Sequence, residues 1–219
     1  MTPRAVLPGV LWIVSALAYL LAEAVAASAF PGYSYAQNYI SDLGVPEVGV
    51  FEGRIIDSPL HAVMNVGFLV QGALYLAAAV ATVRAFGRGR LFLALAVVYA
   101  VGIALVGLVH GSSASAESGV GGLHVLGAGL AIVSGNAASI VAGVSARRGR
   151  PPWASARLGV VLGIVGLLGL LLLQVDSRVA GVDLLPDGAW ERLAVYAVTI
   201  WQLATGARLL LRQPAAAQG

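Results

Sequence analysis

Apolar residues run along this chain in long blocks, without the alternation of a half-buried strand or the single stripe of a surface helix. Each block holds roughly 20 residues, the length that carries an α-helix across the hydrocarbon core of a bilayer, and each is bounded by proline, glycine or charge. The blocks predict spans near 7–30, 59–83, 91–110, 123–145, 157–175 and 190–211. A transmembrane β-barrel would need strands of about 10 residues with alternating polarity, and no such pattern is present. The first block is too long for a secretory h-region, contains Glu23 and runs into "AFPGYSY" without a clear cleavage site, so it reads as a span. The expectation is an all-α, polytopic transmembrane helical bundle of six spans, a single integral membrane domain over 1–219 with a packed first outer loop.

Composition agrees. Hydrophobic residues make up 59% of the chain and charged ones only 11%, against roughly 25% charged in a soluble domain, and the mean hydropathy is +0.88. Cysteine is absent, which excludes disulfides and thiolate chemistry. The 13 basic residues are all arginine. Ten of them (Arg4, Arg84, Arg88, Arg90, Arg147, Arg148, Arg150, Arg157, Arg208 and Arg212) fall at one end of the spans with no Asp or Glu beside them. The other end holds Arg54, Arg178 and Arg192 with nine of the 10 acids. The positive-inside rule puts the arginine-rich end and both termini in the cytoplasm of a multi-pass cell-membrane protein. It also removes the case for nucleic acid that a pI near 9.6 would raise, because arginines beside spans serve topology and contact anionic lipid heads.

Polar residues gather at the outer end. Glu23 lies seven residues before Phe30, roughly 10 Å below the helix end at 1.5 Å per residue, where an ionisable group is a functional candidate or a protonated bond between helices. The loop 31–58 is too hydrophobic for a disordered linker. In "NYISDLGVPE", Asn38, Ser41 and Asp42 are candidates: Ser41 or Asp42 as a cap of the turn, Asp42 alternatively as a carboxylate folded back over the bundle, and Gly44 as the positive-φ residue that follows. Ser58 before Pro59 predicts the N-cap and first position of the second helix, on which His61 and Asn65 share a face. His110 closes the third span and His124 opens the fourth. Three histidines near a carboxylate are the donor set of a zinc site, although no metal-binding spacing is present; hydrogen-bonding or proton-shuttling histidines are the preferred reading. Asn136, in the Gly/Ala/Ser-rich fourth span, predicts an interhelical bond. Spans two and four both begin Leu-His and carry Gly eleven positions beyond (Gly72, Gly135), a hint of duplication. At the start of the last span Asp187 is a candidate N-cap, and Arg192 and Tyr196 share a face, Arg192 either pairing with an acid or holding a ligand anion.

Three stretches together, "NYISDLG", "LHVLGAGLAIVSGNAASIVAG" and "GAWERLAVYAVTIW", resemble the six-span bacterial and archaeal membrane proteins grouped as domain of unknown function 998. The resemblance runs over essentially the whole chain and implies the six-span fold, but no activity. The shorter pattern Ile40-Ser41-Asp42-Leu43-Gly44 with Pro46-Glu47 is similar to the signature of DRAM-type membrane proteins, some linked to lipid remodelling, and tilts the expectation toward lipids.

The function expected is therefore an extracytoplasmic polar site acting on or binding a lipid or isoprenoid at the outer leaflet. An enzyme of that kind (hydrolase, transferase or cyclase) would draw on Asp42, His61, His110, His124 and Glu23 for acid–base chemistry. Ser41, Asn38, Asn65, Arg192 and Tyr196 would bind substrate. The alternatives are a non-catalytic membrane subunit that docks a partner, and a transporter or lipid-moving protein. The last is disfavoured because no pair of interrupted spans is seen.

Overall fold

The computed structural model describes residues 3–87, 89–147, 155–178 and 184–211. Arg88, Arg148, Arg150 and Arg212 of the basic set lie outside them, as does Asp183. Six long helices are present where the apolar blocks predict them: α1 (Pro3–Ala29), α2 (His61–Phe86), α3 (Arg90–Leu108), α5 (Gly121–Arg147), α6 (Ala156–Arg178) and α7 (Asp187–Leu210). Each is long and apolar enough to cross a membrane. A short helix α4 (Ser113–Glu117) and a two-stranded hairpin, β1 (Gly49–Phe51) and β2 (Arg54–Ile56), lie in the connections.

The six long helices close a ring. Helix α1 packs on α2, α2 on α3, α3 on α5, α5 on α6, and α6 on α7, which returns to α1. Helix α5 also reaches α7 across the interior. On α1 the division of faces is plain. Leu7, Val10, Val14, Leu17, Leu21 and Val25 recur at three- and four-residue spacing and are exposed, whereas Ala5, Trp12, Ser15, Ala16, Tyr19 and Glu23 are buried. The outer face is thus the more aliphatic one, as a lipid-facing surface requires, and small, aromatic and polar side chains point inward.

Close approach between helices depends on glycine. A Cβ on Gly102 of α3 would sit 2.6 Å from the Ala131 nitrogen and 2.7 Å from the Gly127 carbonyl of α5. Gly72 and Gly135, the pair at matching positions, both pack on α3, one against Ile103 and the other against Tyr99.

Polar groups inside the ring are tied between helices. Ser15 Oγ donates to Gln71 Oε1 (2.7 Å), and Gln71 Nε2 donates to the Tyr99 hydroxyl (3.1 Å) and Gln202 Oε1 (3.3 Å). Towards the arginine-rich end Trp12 Nε1 donates to Thr82 Oγ1 (3.0 Å) within a cluster of Trp12, Tyr75, Phe92 and Trp201. Asn136 Nδ2 donates to the Ala194 carbonyl of α7 (3.0 Å), the interhelical bond expected of it.

Candidate functional site

The acid-rich end is covered by the first long loop, which two ion pairs hold down, one buried and one partly exposed. The first is Glu23 of α1 with Arg192 of α7, 3.0 Å apart and both nearly inaccessible, at 1% and 6% exposed. The spacing of Arg192 and Tyr196 by one helical turn brings both to the same carboxylate: Arg192 donates to Glu23 Oε1 and the Tyr196 hydroxyl donates to Oε2 (2.8 Å). The remaining guanidinium N–H groups go to the loop. Nη1 donates to the carbonyls of Tyr35 (2.5 Å) and Asn38 (2.7 Å) and to Gly188 (3.1 Å), and Nη2 to the Tyr33 hydroxyl. A guanidinium has five donors, and all are engaged, so none is left for a ligand anion. The Tyr33 phenol, held by burial above its usual range, stays protonated and donates onward to the Tyr39 carbonyl (3.2 Å).

The second pair is Asp42 with Arg54 (2.9 Å). Asp42 lies in a 3-10 turn, Ser41–Gly44, and is 2% exposed. Its Oδ2 accepts the Tyr39 backbone N–H (3.0 Å) and Asn38 Nδ2 (3.3 Å). The cap expected of Ser41 or Asp42 is not made, since Ile40 is the N-cap and no side chain caps the turn; Asp42 instead holds the backbone just before the turn and closes an ion pair. Arg54 arrives from β2 and stacks 4.2 Å above the Tyr39 ring. Burial, the largest single influence, would lower the Arg54 pKa, but the charge and hydrogen bond of Asp42, with Tyr39 and Glu52, together raise it. Tyr39 completes the linkage to α7, donating to Asp187 Oδ2 (3.0 Å), while Glu191 accepts the Ile40 backbone N–H.

Three further local expectations are corrected. Helix α2 starts at His61, not at Ser58–Pro59, and Leu60 in the N-cap position makes no side-chain cap bond. Ser58 Oγ instead donates to the Leu43 carbonyl (2.7 Å), tying the turn to the start of α2. Asp187 is the first residue of α7, not its cap, because its carboxylate is taken by Tyr39. Gly44 is absent from the positive-φ glycines; its lack of a side chain is needed because a Cβ there would overlap Asn65 Oδ1.

The three histidines lie at the same end but engage separate partners. His61 Nδ1 is 3.1 Å from the Ser58 carbonyl, His124 Nδ1 is 2.6 Å from the Val109 carbonyl, and His110 Nε2 is 3.1 Å from Asn65 Nδ2. Asn65 Nδ2 also donates to the Gly44 carbonyl (2.9 Å), so the amide joins the turn to the end of α3. Among the described residues no three His, Asp or Glu side chains gather closely enough to hold a metal ion. His110 feels the charges of His61 and Glu47, and burial, the largest influence, lowers its pKa from the usual 6.5.

Beneath the turn lies a narrow, partly open cavity with a free volume of about 40 Å³. Its walls are apolar and aromatic, from Tyr19, Phe68, Ile103, Ala131 and Val198, and Ser41 and Glu191 stand at its polar end. Glu191, Arg54, Tyr33 and Tyr39 were not among the candidate site residues read from sequence. The one legible signal was Arg54, the lone cation in a loop carrying Asp42, Glu47, Glu52 and Asp57.

No curated protein and no solved structure matches the chain. Residues 13–208 match the family described as Protein of unknown function (DUF998), so this chain, with its six apolar helices, belongs to that family of membrane proteins.

Proposed function

We propose that the acid-rich end of the bundle binds a lipid or isoprenoid from the outer leaflet, with the chain in the cell membrane and its arginine-rich end in the cytoplasm. The observation that carries the reading is the cavity under the Ser41–Gly44 turn, a slot with largely apolar and aromatic walls and with Ser41 and Glu191 on its loop side. Apolar pockets with a few convergent polar groups are the form ligand sites take. Asymmetry of this kind suits an amphiphile whose chain lies along Phe68 and Ile103 and whose head reaches Ser41 and Glu191. The orientation is supported by the ten arginines at one end and the acids at the other. Binding is favoured over catalysis because Glu23 and Asp42 are both committed to arginines.

The experiment is purification in a mild detergent followed by native mass spectrometry and identification of retained lipid. The expected result is a stoichiometric amphiphile that Ala131→Phe, which fills the slot, displaces. Equal retention by the two proteins sinks the reading.

A second reading, a subunit that docks a partner through this end, has its own support. Val50 and Ile55, opposite each other in the hairpin, share one face and are 67% and 70% exposed. Val50→Asp with Ile55→Asp would then abolish a copurifying partner and leave lipid retention intact.

A further inference from the structure

The opposite, arginine-rich end carries a groove that shares no lining residue with the cavity under the turn. A surface groove between α1 and α2 encloses about 1050 Å³ of space, part of it open to the surroundings. Its walls are one face of each helix: Leu7, Pro8 and Leu11 on α1, and Ala77, Ala81 and Ala85 on α2. The recurrence at three- and four-residue intervals puts each set in line along its helix. Three alanines on α2 leave a trough, and Leu7, 62% exposed, forms its rim. One arginine from each helix stands at the mouth, Arg4 in the first turn of α1 and Arg84 in the last turn of α2.

Neither arginine has a hydrogen-bond or ion-pair partner among the described residues, in contrast to Arg54 and Arg192 at the other end. No acid falls in 1–22, 58–116 or 118–175, so the cations are not neutralised along these segments. From Arg4 to Leu11 the trough runs roughly 10 Å into the apolar layer at 1.5 Å per residue. Two unpaired guanidinium groups above a trough of that depth match a phosphate head with an acyl chain beneath it. Paired N–H donors suit phosphate oxygens, and basic pockets between transmembrane helices bind anionic lipid heads.

We propose that the α1–α2 groove is a binding site for an anionic phospholipid, its phosphate held between Arg4 and Arg84 and one acyl chain lying over Ala77 and Ala81. The site is distinct from the cavity under the Ser41–Gly44 turn and stands whether or not that cavity binds a ligand.

The test uses the full chain in detergent, titrated by native mass spectrometry with phosphatidylglycerol and with phosphatidylcholine of the same acyl chains. The wild type is expected to bind one phosphatidylglycerol at least tenfold more tightly than phosphatidylcholine. Arg4→Gln with Arg84→Gln removes that preference. Ala77→Leu, which fills the trough without touching charge, weakens phosphatidylglycerol severalfold. Arg90→Gln, a charge change outside the groove, leaves binding unchanged and shows that the loss is local. Equal affinity for the two lipids in the wild type overturns the proposal. So does a double arginine variant that binds like the wild type, an Arg90→Gln loss as large as the double variant's, or displacement of the lipid by millimolar inorganic phosphate.

Discussion

Arg192→Gln is the most informative single change, because it removes the group on which α1, α7 and the first loop converge. In the wild type one guanidinium serves the Glu23 carboxylate, the carbonyls of Tyr35, Asn38 and Gly188, and the Tyr33 hydroxyl. Deleting one partner of a buried pair costs about 3–5 kcal/mol, since the other charge stays buried without compensation. Two effects act in opposite directions on that figure. Each loop carbonyl left without a donor adds roughly 1–3 kcal/mol if water does not reach it. Tyr196 still holds Glu23 Oε2, and proton uptake by the stranded carboxyl limits the penalty. The net expectation is a loss of about 3–5 kcal/mol, read by reversible unfolding in mixed micelles with the fluorescence of Trp12, Trp190 and Trp201 as reporter. The decisive measurement is the cycle with Glu23→Gln. The double variant should be more stable than the sum of the single losses predicts, by roughly 1–3 kcal/mol, because its carboxylate is no longer stranded. Additivity within about 0.5 kcal/mol would refute the pairing argument and leave Arg192 as a loop anchor alone.

Gly166 of α6 has no room for a Cβ because the Asn136 side chain fills the position. Gly166→Ala should therefore cost about 1–3 kcal/mol by overpacking, and most of that cost should vanish when Asn136→Ala is present, in the same unfolding assay. The folded-state pKa of His110 lies below its usual 6.5, burial being the main cause, so the native state resists the proton that the unfolded chain accepts. Stability is then full above pH 6.5 and falls as pH drops below it, a slope that His110→Gln should flatten in unfolding curves taken from pH 7.5 to 5. For topology, cysteines at Val48 (75% exposed) and Leu211 (80% exposed) should label oppositely with an impermeant maleimide on intact cells, Val48→Cys from outside and Leu211→Cys only after lysis. Labelling of both from outside would overturn the orientation.

The six spans were legible within a few residues, because a helix that crosses lipid must be apolar along its whole length and hydropathy alone marks it. Their ends were less so. Ser58 and Asp187 have the chemistry of caps, yet each makes a tertiary bond, to Leu43 and Tyr39. The hairpin went unforeseen although its signal is local. Glu52 and Gly53 both have positive φ, at 47° and 78°, the conformation of a tight two-residue hairpin turn, and Val50, Ile55 and Ile56 flank them. The burial of Glu23 was legible from its depth in an apolar block. That its partner is Arg192, 169 positions away, was one of several choices, since sequence spacing says nothing about which ends of a ring meet. Gly44 shows a different limit. A glycine needed for its backbone angle and one needed for its lack of bulk look the same in a sequence.

The Glu23–Arg192 pair also fixes an order of events during synthesis. Ribosomes add about 5–20 residues per second, so some 8–34 s separate the two partners. Throughout that interval Glu23 is without its cation, and the carbonyls of Tyr35 and Asn38 are without their donor. The first loop reaches its final packing only after the sixth span has entered the membrane and closed the ring against the first. The covered end of this protein is thus a signature of a completed chain: a nascent or truncated form lacking α7 presents an open loop and an unpaired carboxyl to whatever surveys the membrane for unfinished proteins.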